Sequence, residues 1–481
     1  MAQTCSNGDS VYRGHLSGKG SSVEGGIALN SVRPALVDPL LKDLSPRHRL
    51  YINHFSTLVC QDLVSFDQQD HSNPFRSVIT LLGSFDYLRE IILAVSAVHM
   101  VTLRRSHGHP YQQELIDALT AKGRAYRLLR EALGGHNTTT TTTTTTTPIV
   151  FIAVVFFINF DLIDSGRGNW KTHIQAAGRL ITSIQGSTAT TPTPTPTPTP
   201  ATPPRAIAQL ADTVIADCIT YQILGSVLTA PPPPPPPEDD SSATAGTLPT
   251  FTGIDIPAAL QRAAAVSYGC FPPSMLDILS RAGRLAAAGG HANGAGAGAG
   301  AVVEEEAGLL MGQLRGVDAR AWVYGIEGLS PRDDLEVRVA MACAHRAAIC
   351  LYIVLAVPDV VRYRLGERDD GYGFVGSLAR EVLFHLASVP VDHALAKGLI
   401  WPTFMAGAQA EDLASRQWCL GRMQRIWCSG PWSCPWGYVE SAMDMMQRVW
   451  EARDRKLEEG DRDGMNWLQE MRATADHVLI V

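Results

Sequence analysis

The stretch LREIILAVSAVHM, residues 88–100, decides the fold class. Its apolar residues recur at steps of three and four and share one helix face with a histidine: Leu88, Ile91, Ile92, Val95 and His99. No segment shows the sustained period-two alternation, bounded by turns, that is typical of strands. The sequence therefore predicts an all-α protein, with about ten or more helices if each has the usual three turns or so.

The same periodicity continues outward from this stretch. Further helices are predicted over residues 115–133, 170–181, 335–351, 413–427 and 442–450. The first of them carries the apolar stripe Leu115, Leu119, Tyr126, Leu129 and Leu133. Gly134 and Gly186 are the expected stops of two helices, and Pro358 lies just beyond a third.

Composition and charge narrow the class of protein. The 481 residues are 45% hydrophobic and 18% charged, with a net charge of −7, which suits a globular protein with a large core rather than one that grips phosphate along its length. The nine scattered cysteines are expected to be reduced thiols in the cytosol or nucleus. The longest apolar run, Ile149–Ile158, predicts a buried helix rather than a membrane span.

Four low-complexity tracts interrupt the helical segments. They are rich in Thr, in Thr-Pro, in Pro followed by acidic residues and Ser, and in Gly-Ala, and they cover residues 136–148, 187–205, 230–250 and 287–303. Because they lack the apolar content that offsets the entropy of ordering, we expect long disordered loops within one domain. The predicted organisation is a disordered segment 1–43, a helical domain 44–455 and a C-terminal tail 456–481.

Metal sites are not indicated by the cysteine and histidine spacing. The chain contains no CxxC pair, which a compact zinc module would need. Cys343 and Cys350 share a helix face, and core packing is the favoured interpretation. Three further cysteines, Cys419, Cys428 and Cys434, have no histidine close by, and the pair His107 and His109 is expected in a solvated turn.

Catalytic motifs are missing as well. The sequence has no G-x-S-x-G, no G-x-G-x-x-G after a strand, no P-loop and no H-E-x-x-H. A helical enzyme or ligand carrier would need a titratable cluster in its core, and His99, His173 and Glu327 are the candidates for it. Nothing in the sequence brings these three together, so we predict no catalytic residues and assign no cofactor-binding residues.

Several short motifs carry a resemblance to a known family. In chain order they are the segments 73–76 (NPFR), 122–129 (KGRAYRLL), 170–181 (WKTHIQAAGRLI), 399–410 (LIWPTFMAGAQA) and 449–451 (VWE). Together they resemble the fungal-specific transcription factor domain of zinc binuclear cluster regulators, in the branch similar to acriflavine-sensitivity control regulators. The resemblance spans roughly Leu44 to Arg453, and in 170–181 the Gly-Ala pair of the family stands in reverse order.

The resemblance implies a large multi-helix regulatory domain of the middle homology region type, in a nuclear protein that is not an enzyme. The motif residues are then structural: Asn73, Pro74, Phe75, Trp170, His173, Trp401, Pro402, Ala406, Gly407 and Trp450. The tryptophans would anchor packing, Pro402 would start or kink a helix, and the small pair Ala406 and Gly407 would let helices approach closely. For His173 we expect a hydrogen-bonded position in the core.

The chain departs from the family at its N-terminal side. Residues 1–43 contain a single cysteine, Cys5, where the family has a six-cysteine zinc cluster. Zinc is therefore expected only if such a cluster exists upstream. The leading hypothesis is regulation of RNA polymerase II transcription through protein partners, a homodimer or related transcription factors, with DNA reached indirectly or via a missing module. The resemblance also implies a small-molecule inducer as a partner. It implies no association with a membrane. The alternative is a truncated paralogue that titrates its full-length relatives.

Overall fold

The computed structural model describes the helical core of the chain. It covers residues 42, 44–67, 73–134, 143–188, 205–229, 255–292, 298–329, 334–357, 371–428, 433–460, 466–474 and 478–481. Within these residues every regular element is a helix, which confirms the all-α prediction.

Seventeen α-helices are found in the described part of the chain. They are α1 (Pro46–His54), α2 (Cys60–Asp62), α3 (Asp86–Ser106), α4 (Gln112–Gly134), α5 (Thr143–Asp164), α6 (Trp170–Thr188), α7 (Arg205–Val227), α8 (Ile256–Ala263), α9 (Pro273–Ala292), α10 (Gly298–Arg315), α11 (Ala319–Tyr324), α12 (Leu335–Ala356), α13 (Gly371–Ala387), α14 (Ile400–Gln409), α15 (Leu413–Cys428), α16 (Gly437–Glu458) and α17 (Trp467–Ala473). A π-helical turn, Phe55–Val59, joins α1 to α2, and 3₁₀ turns cover Pro74–Leu81 and Ala396–Leu399.

Two helices form the centre of the core. In α5 and α12, windows of 18 and 22 residues are apolar enough to span a membrane by length and composition alone. Inside the fold, 83% of the window in α5 and 72% of the window in α12 is buried. Around them, α3 packs on α4 and α5, α5 packs on α6, and α12 packs on α13. The helices are thus hydrophobic all round because other helices surround them.

The helix α4 buries a different face from the one that its leucines indicate. Its buried residues are Ala118, Ala121, Ala125 and Leu129. Leu119 and Leu133 of the expected stripe are exposed. Alanines let α4 lie close against α3, so the small residues face inward. Of the predicted stripe, Leu129 is buried, and the prediction is wrong for Leu119 and Leu133.

Helices continue into parts of the low-complexity tracts. The helix α5 begins at Thr143, α9 ends at Ala292 and α10 begins at Gly298, so the ends of 136–148 and 287–303 are helical. These ends were expected to be disordered. They form the terminal turns of helices instead, because adding a residue to a helix that already exists costs much less than nucleating one. The remaining residues of these two tracts, most of 187–205 and the whole of 230–250 lie outside the described residues, as do 1–41.

The segment assigned to a C-terminal tail, 456–481, contributes to the core. The helix α17 buries Trp467 and Leu468, and residues 478–481 are buried. The backbone of Leu479 donates to the carbonyl of Gly166 at 2.8 Å. Because these apolar side chains remove their surface from water inside the domain, the helical core extends to residue 481 rather than stopping near 455.

Candidate functional site

A chain of buried polar side chains joins the N-terminal helices to α16. His54 ends α1, Asp62 ends α2 and His99 lies on α3, and all three are buried. Nε2 of His54 lies 2.9 Å from Nδ1 of His99, and Nε2 of His99 lies 3.0 Å from Oδ2 of Asp62. The same carboxylate oxygen accepts a hydrogen bond of 3.2 Å from the indole nitrogen of Trp436, just before α16.

The carboxylate of Asp62 assigns one proton of His99. Asp62 accepts, so Nε2 of His99 carries a proton, and Nδ1 of His99 shares the second hydrogen bond with Nε2 of His54. Burial, together with the nearby His99, lowers the pKa of His54 to about 3, so His54 is neutral at physiological pH. Each polar group that joins these three helices is therefore matched by a donor or an acceptor.

A lysine extends this polar region. Lys397 is buried beside Asp62, donates from Nζ to the carbonyl of Gln61 at 2.9 Å and lies 5.7 Å from the ring centre of Tyr268. Burial lowers the pKa of Lys397, and the charge of Asp62 acts in the opposite direction. The thiol of Cys434 is also buried there, and its pKa is raised by burial and by Asp62.

A second buried aspartate, Asp217 on α7, lies in a different environment. Its Oδ2 has no hydrogen-bond partner among the described residues. Burial raises the pKa of Asp217 to about 8. The carboxyl group is therefore mostly protonated at neutral pH, because burial disfavours its charged form.

His173 belongs to a separate polar cluster between α4, α5 and α6. The hydroxyl of Tyr126 donates to its Nε2 at 2.7 Å, and a carboxylate oxygen of Asp161 lies 3.8 Å away. Asp161 in turn pairs with Lys122 at 2.8 Å. Burial and the charge of Lys122 lower the pKa of His173 to about 4. His173 is thus a neutral, hydrogen-bonded histidine of the core.

The three residues considered for an enzyme or ligand carrier do not share a site. His99 and His173 bond to different aspartates, and Glu327 is exposed in the turn after α11. The polar groups around His99 belong to residues that no sequence pattern indicated, namely His54, Asp62, Lys397 and Trp436. A charged residue inside an apolar run, such as Asp62 in LVCQDLVSF or Asp217 in VIADCITY, is the signal that could have found them.

The N-terminal family motif forms a helix start. Asn73 accepts a hydrogen bond from the backbone of Phe75 at 3.0 Å and donates from Nδ2 to the carbonyl of Cys60 at 2.7 Å. Pro74 occupies the first position of the 3₁₀ turn, where it needs no backbone donor. The buried ring of Phe75 packs edge-on to Phe156. The motif therefore ties this turn to α2 and α5.

The C-terminal motif places α14 against α15 and α16. Pro402 lies in the first turn of α14, next to the fully buried Trp401. Gly407 packs on Met446, and an added Cβ there would lie 3.1 Å from Cβ of Cys419. The indole nitrogen of Trp450 donates to the carbonyl of Gly407 at 2.8 Å. Gly407 is thus the point of closest approach, and Ala406 beside it is fully buried.

Trp170 is the first residue of α6 and is buried against α7. A Cβ on Gly225 would lie 2.6 Å from the Trp170 ring, so this glycine makes room for the indole. The ten motif residues therefore fall into separate packing positions rather than one pocket.

The cysteines and the histidine pair show no metal-binding arrangement in the part of the chain that the structure describes. No group of three His, Cys, Asp or Glu side chains is placed there to hold an ion. Cys350, Cys419 and Cys434 are buried, while Cys343 and Cys428 are partly exposed. The rings of His107 and His109 stack on each other at 6.4 Å beside the C-terminus of α3.

A polar cleft of about 210 Å³ opens at the surface between α1, α3 and α4. It is lined by Arg47, His48, Tyr51, Glu90, Leu93, Asp117, Thr120, Ala121 and Arg124. On one wall, the carboxylate of Asp117 accepts from the hydroxyl of Tyr51 and pairs with Arg47, both at 2.5 Å. The cleft is thus bounded by α1, the helix that also carries His54.

Comparisons with known proteins agree with the resemblance in the motifs. Residues 49–480 match the profile of a family described as "Fungal specific transcription factor domain". The chain is also similar to the acriflavine sensitivity control protein acr-2 of Neurospora crassa, with 41% identity over 457 residues. That alignment covers 94% of this chain and 70% of the relative. No solved structure matches the chain.

Proposed function

Because the chain belongs to the fungal-specific transcription factor domain family, we propose that it is the regulatory domain of a zinc-cluster-type transcription factor. It acts in the nucleus on RNA polymerase II transcription. The family is described as a transcription factor domain, and the relative in Neurospora crassa is named as an acriflavine sensitivity control protein. Contact with DNA is made through protein partners or through a zinc module that residues 1–481 do not contain, since the sequence has no CxxC pair.

The observation that carries the proposal is the extent of the family match. Residues 49–480 run from α1 to the buried C-terminal residues, so the match covers the same residues as the helical core. Within the matched residues, the buried chain from His54 to Trp436 connects the first helices to α16.

The experiment that tests this proposal is transfer of activity. The chain is fused to an unrelated DNA-binding domain and expressed with a reporter that carries the matching site. We expect transcription of the reporter to change several-fold relative to the DNA-binding domain alone. A fusion that is folded, nuclear and bound at the reporter but leaves transcription unchanged would refute the regulatory role.

The alternative is a truncated paralogue that titrates full-length relatives without reaching DNA. It is favoured by the single cysteine in residues 1–43. A full-length transcript of the locus, read from its 5′ end, separates the two hypotheses. An in-frame six-cysteine cluster upstream excludes titration, whereas a transcript that starts at Met1 favours it. Tight binding of a specific promoter duplex by the purified chain in EDTA would overturn the view that DNA contact needs that module.

A further inference from the structure

The outer face of α4 exposes apolar side chains to solvent. Ile116 and Leu119 are 58% and 57% exposed. Gly123 lies four residues after Leu119 on the same face, and no described atom lies within 4 Å of a Cβ built on it. A glycine weakens a helix interior relative to alanine, and no contact among the described residues requires one here. The face therefore has an apolar surface and an open space above its backbone.

The same face becomes basic towards the C-terminal end of α4. Arg127 and Arg130 follow Gly123 at steps of four and three residues, and both are exposed. Arg127 pairs at 3.6 Å with Glu131 of its own helix, and Arg130 has no hydrogen bond or ion pair in the described part of the chain. Like charges one turn apart on a helix repel each other. An acidic surface placed on this face would relieve that repulsion.

The outer face of α10 carries the opposite charge. Val302 and Leu309 are 64% and 58% exposed and lie seven residues apart on one side of the helix. Glu305 lies between them, is exposed, and forms no hydrogen bond or ion pair with the residues that the structure describes. Gly312 follows Leu309, and a Cβ built on it also has no described atom within 4 Å. The face thus resembles that of α4, with an acid in place of the arginines.

The charges of the two faces match when the helices run antiparallel. We take the contact of Leu309 with Gly123 as the centre. Glu305 lies four residues before this centre on α10, and Arg127 lies four residues after it on α4. Both steps are about 6 Å along a helix, so the carboxylate meets the guanidinium group. In a parallel arrangement Glu305 would lie on Leu119, and the arginines would have no acid opposite them.

The leucines and glycines match in the same antiparallel arrangement. Gly312 lies three residues after the centre on α10, and Leu119 lies four residues before it on α4. Each leucine therefore packs over a glycine of the other helix. The missing side chain lets the two backbones approach closely, and the leucines interlock as ridges in grooves.

We propose that the chain associates with a second copy of itself, with α10 of one copy packed antiparallel on α4 of the other. Both faces are exposed in a single chain, so they do not cover each other within it. Within the fold α4 packs on α3, whereas α10 packs on α9 and α12. Each copy carries one face of each kind and so both offers and receives a helix. As the identity of a protein partner, this step rests on the regulatory role proposed above.

The mass of the purified full chain in solution tests the proposal without any transcription assay. Sedimentation equilibrium over a range of protein concentrations gives the number of copies and the Kd. We expect association at micromolar concentrations that weakens as the salt concentration rises, because exposed charges are screened.

Charge reversal locates the contact. Arg127→Glu and Glu305→Arg should each weaken association at least tenfold, because each places like charges opposite one another. An equimolar mixture of the two variants should associate as the wild type does, since every contact between them again pairs an acid with an arginine. The controls Arg455→Glu and Glu451→Arg make the same charge changes at exposed positions of α16 and should leave association unchanged.

Gly123→Leu separates packing from charge. Leucine favours a helix more than glycine does and has open space at this position, so the variant should raise Tm. Its side chain also fills the space that Leu309 of the second copy needs, so association should weaken at least tenfold. A glycine needed only for the fold would give the reverse, a lower Tm with unchanged association.

Three results would overturn the proposal: a chain that stays monomeric throughout, association that neither charge reversal weakens, and a mixture of the two variants that does not recover. A monomeric chain that binds anionic vesicles or duplex DNA, and loses this binding in Arg127→Glu, would assign the α4 face to a lipid or a nucleic acid instead. Intact association with an inactive reporter fusion would refute the regulatory role alone.

Discussion

Two aspartates lie inside the same helical core in opposite environments. Asp62 accepts hydrogen bonds from His99 and Trp436 and thereby connects three helices. Asp217 has an oxygen without a partner in the described residues, and its pKa is raised to about 8. The comparison shows that burial alone does not determine what a carboxylate does. One surrounded by donors stabilises the fold, whereas one without a countercharge lowers stability when it ionises.

The largest effect is expected for Asp62→Ala. The substitution leaves the Nε2 proton of His99 and the indole proton of Trp436 buried without an acceptor. We expect the free energy of unfolding to fall by roughly 2–5 kcal/mol, measured by urea denaturation. The control is Asp444→Ala, which removes an exposed pair with Arg448 and should change stability by less than about 0.5 kcal/mol. Equal effects of the two substitutions would remove the contrast between the aspartates.

The next substitution, Asp217→Asn, is expected to raise stability rather than lower it. In the folded protein Asp217 keeps its proton up to about pH 8, whereas in the unfolded chain it loses the proton near pH 4. Stability therefore falls as the pH rises through this window, and Asp217→Asn should abolish that slope. We expect a gain of roughly 1–3 kcal/mol at pH 8 that disappears at pH 4.

A matched control for this variant lies on the same helix. Asp212 on α7 is partly exposed and pairs with Arg262. Asp212→Asn should leave the slope of stability between pH 4 and 8 unchanged. If Asp217→Asn destabilises the protein at pH 8, Asp217 has a partner that stabilises its charge. Asp217 would then resemble Asp62.

A smaller loss of stability is expected at Trp436, the second hydrogen-bond donor to Asp62. Trp436→Phe retains the ring but removes the hydrogen bond of 3.2 Å to Asp62. We expect a loss of about 1 kcal/mol, smaller than that of Asp62→Ala, because His99 still bonds to the carboxylate. In a double-mutant cycle the two substitutions should be non-additive. Additive effects would show that Trp436 stabilises the core by packing alone.

The smallest effect at neutral pH is expected for His54→Gln, since a glutamine amide can also form a hydrogen bond with Nδ1 of His99. The stabilities of the variant and the wild type should differ at acidic pH. The pKa of His54 is about 3 in the folded state and near 6.5 in the unfolded chain, so its contribution is complete above pH 6.5 and is lost as the pH falls from 6.5 towards 3. The variant should lose stability less steeply than the wild type across this window in urea titrations. An unchanged slope would mean that His54 takes up no proton on unfolding.

Local patterns predicted the helices, and distant contacts decided the polar core. The stripe from Leu88 to His99 set α3 because a helix needs only neighbours at three and four residues. The bond between Asp62 and Trp436 joins residues 374 positions apart, and no spacing rule reaches that far. The leucines of α4 indicated the wrong helix face for the same reason. Packing against α3, rather than the spacing within α4, determines which face is buried.

The cleft could be predicted only in part. The helices α3 and α4, which form two of its walls, were predicted from their periodicity. Glu90 lies between Leu88 and Ile91 of the α3 stripe, and its place in the cleft depends on α1 and α4 lying beside it. The sequence gives the chemistry of each side chain but not the three helices that bring them together.

The buried residues 478–481 have a consequence for synthesis on the ribosome. Leu479 bonds to Gly166, and the hydroxyl of Tyr438 donates to the carbonyl of Val481. Gly166 and Tyr438 lie in parts of the chain that are translated before residues 478–481. The apolar surface that residues 478–481 cover therefore stays open to chaperones on the growing chain until these residues have left the exit tunnel. Deletion of residues 478–481 should lower the cellular level of the protein.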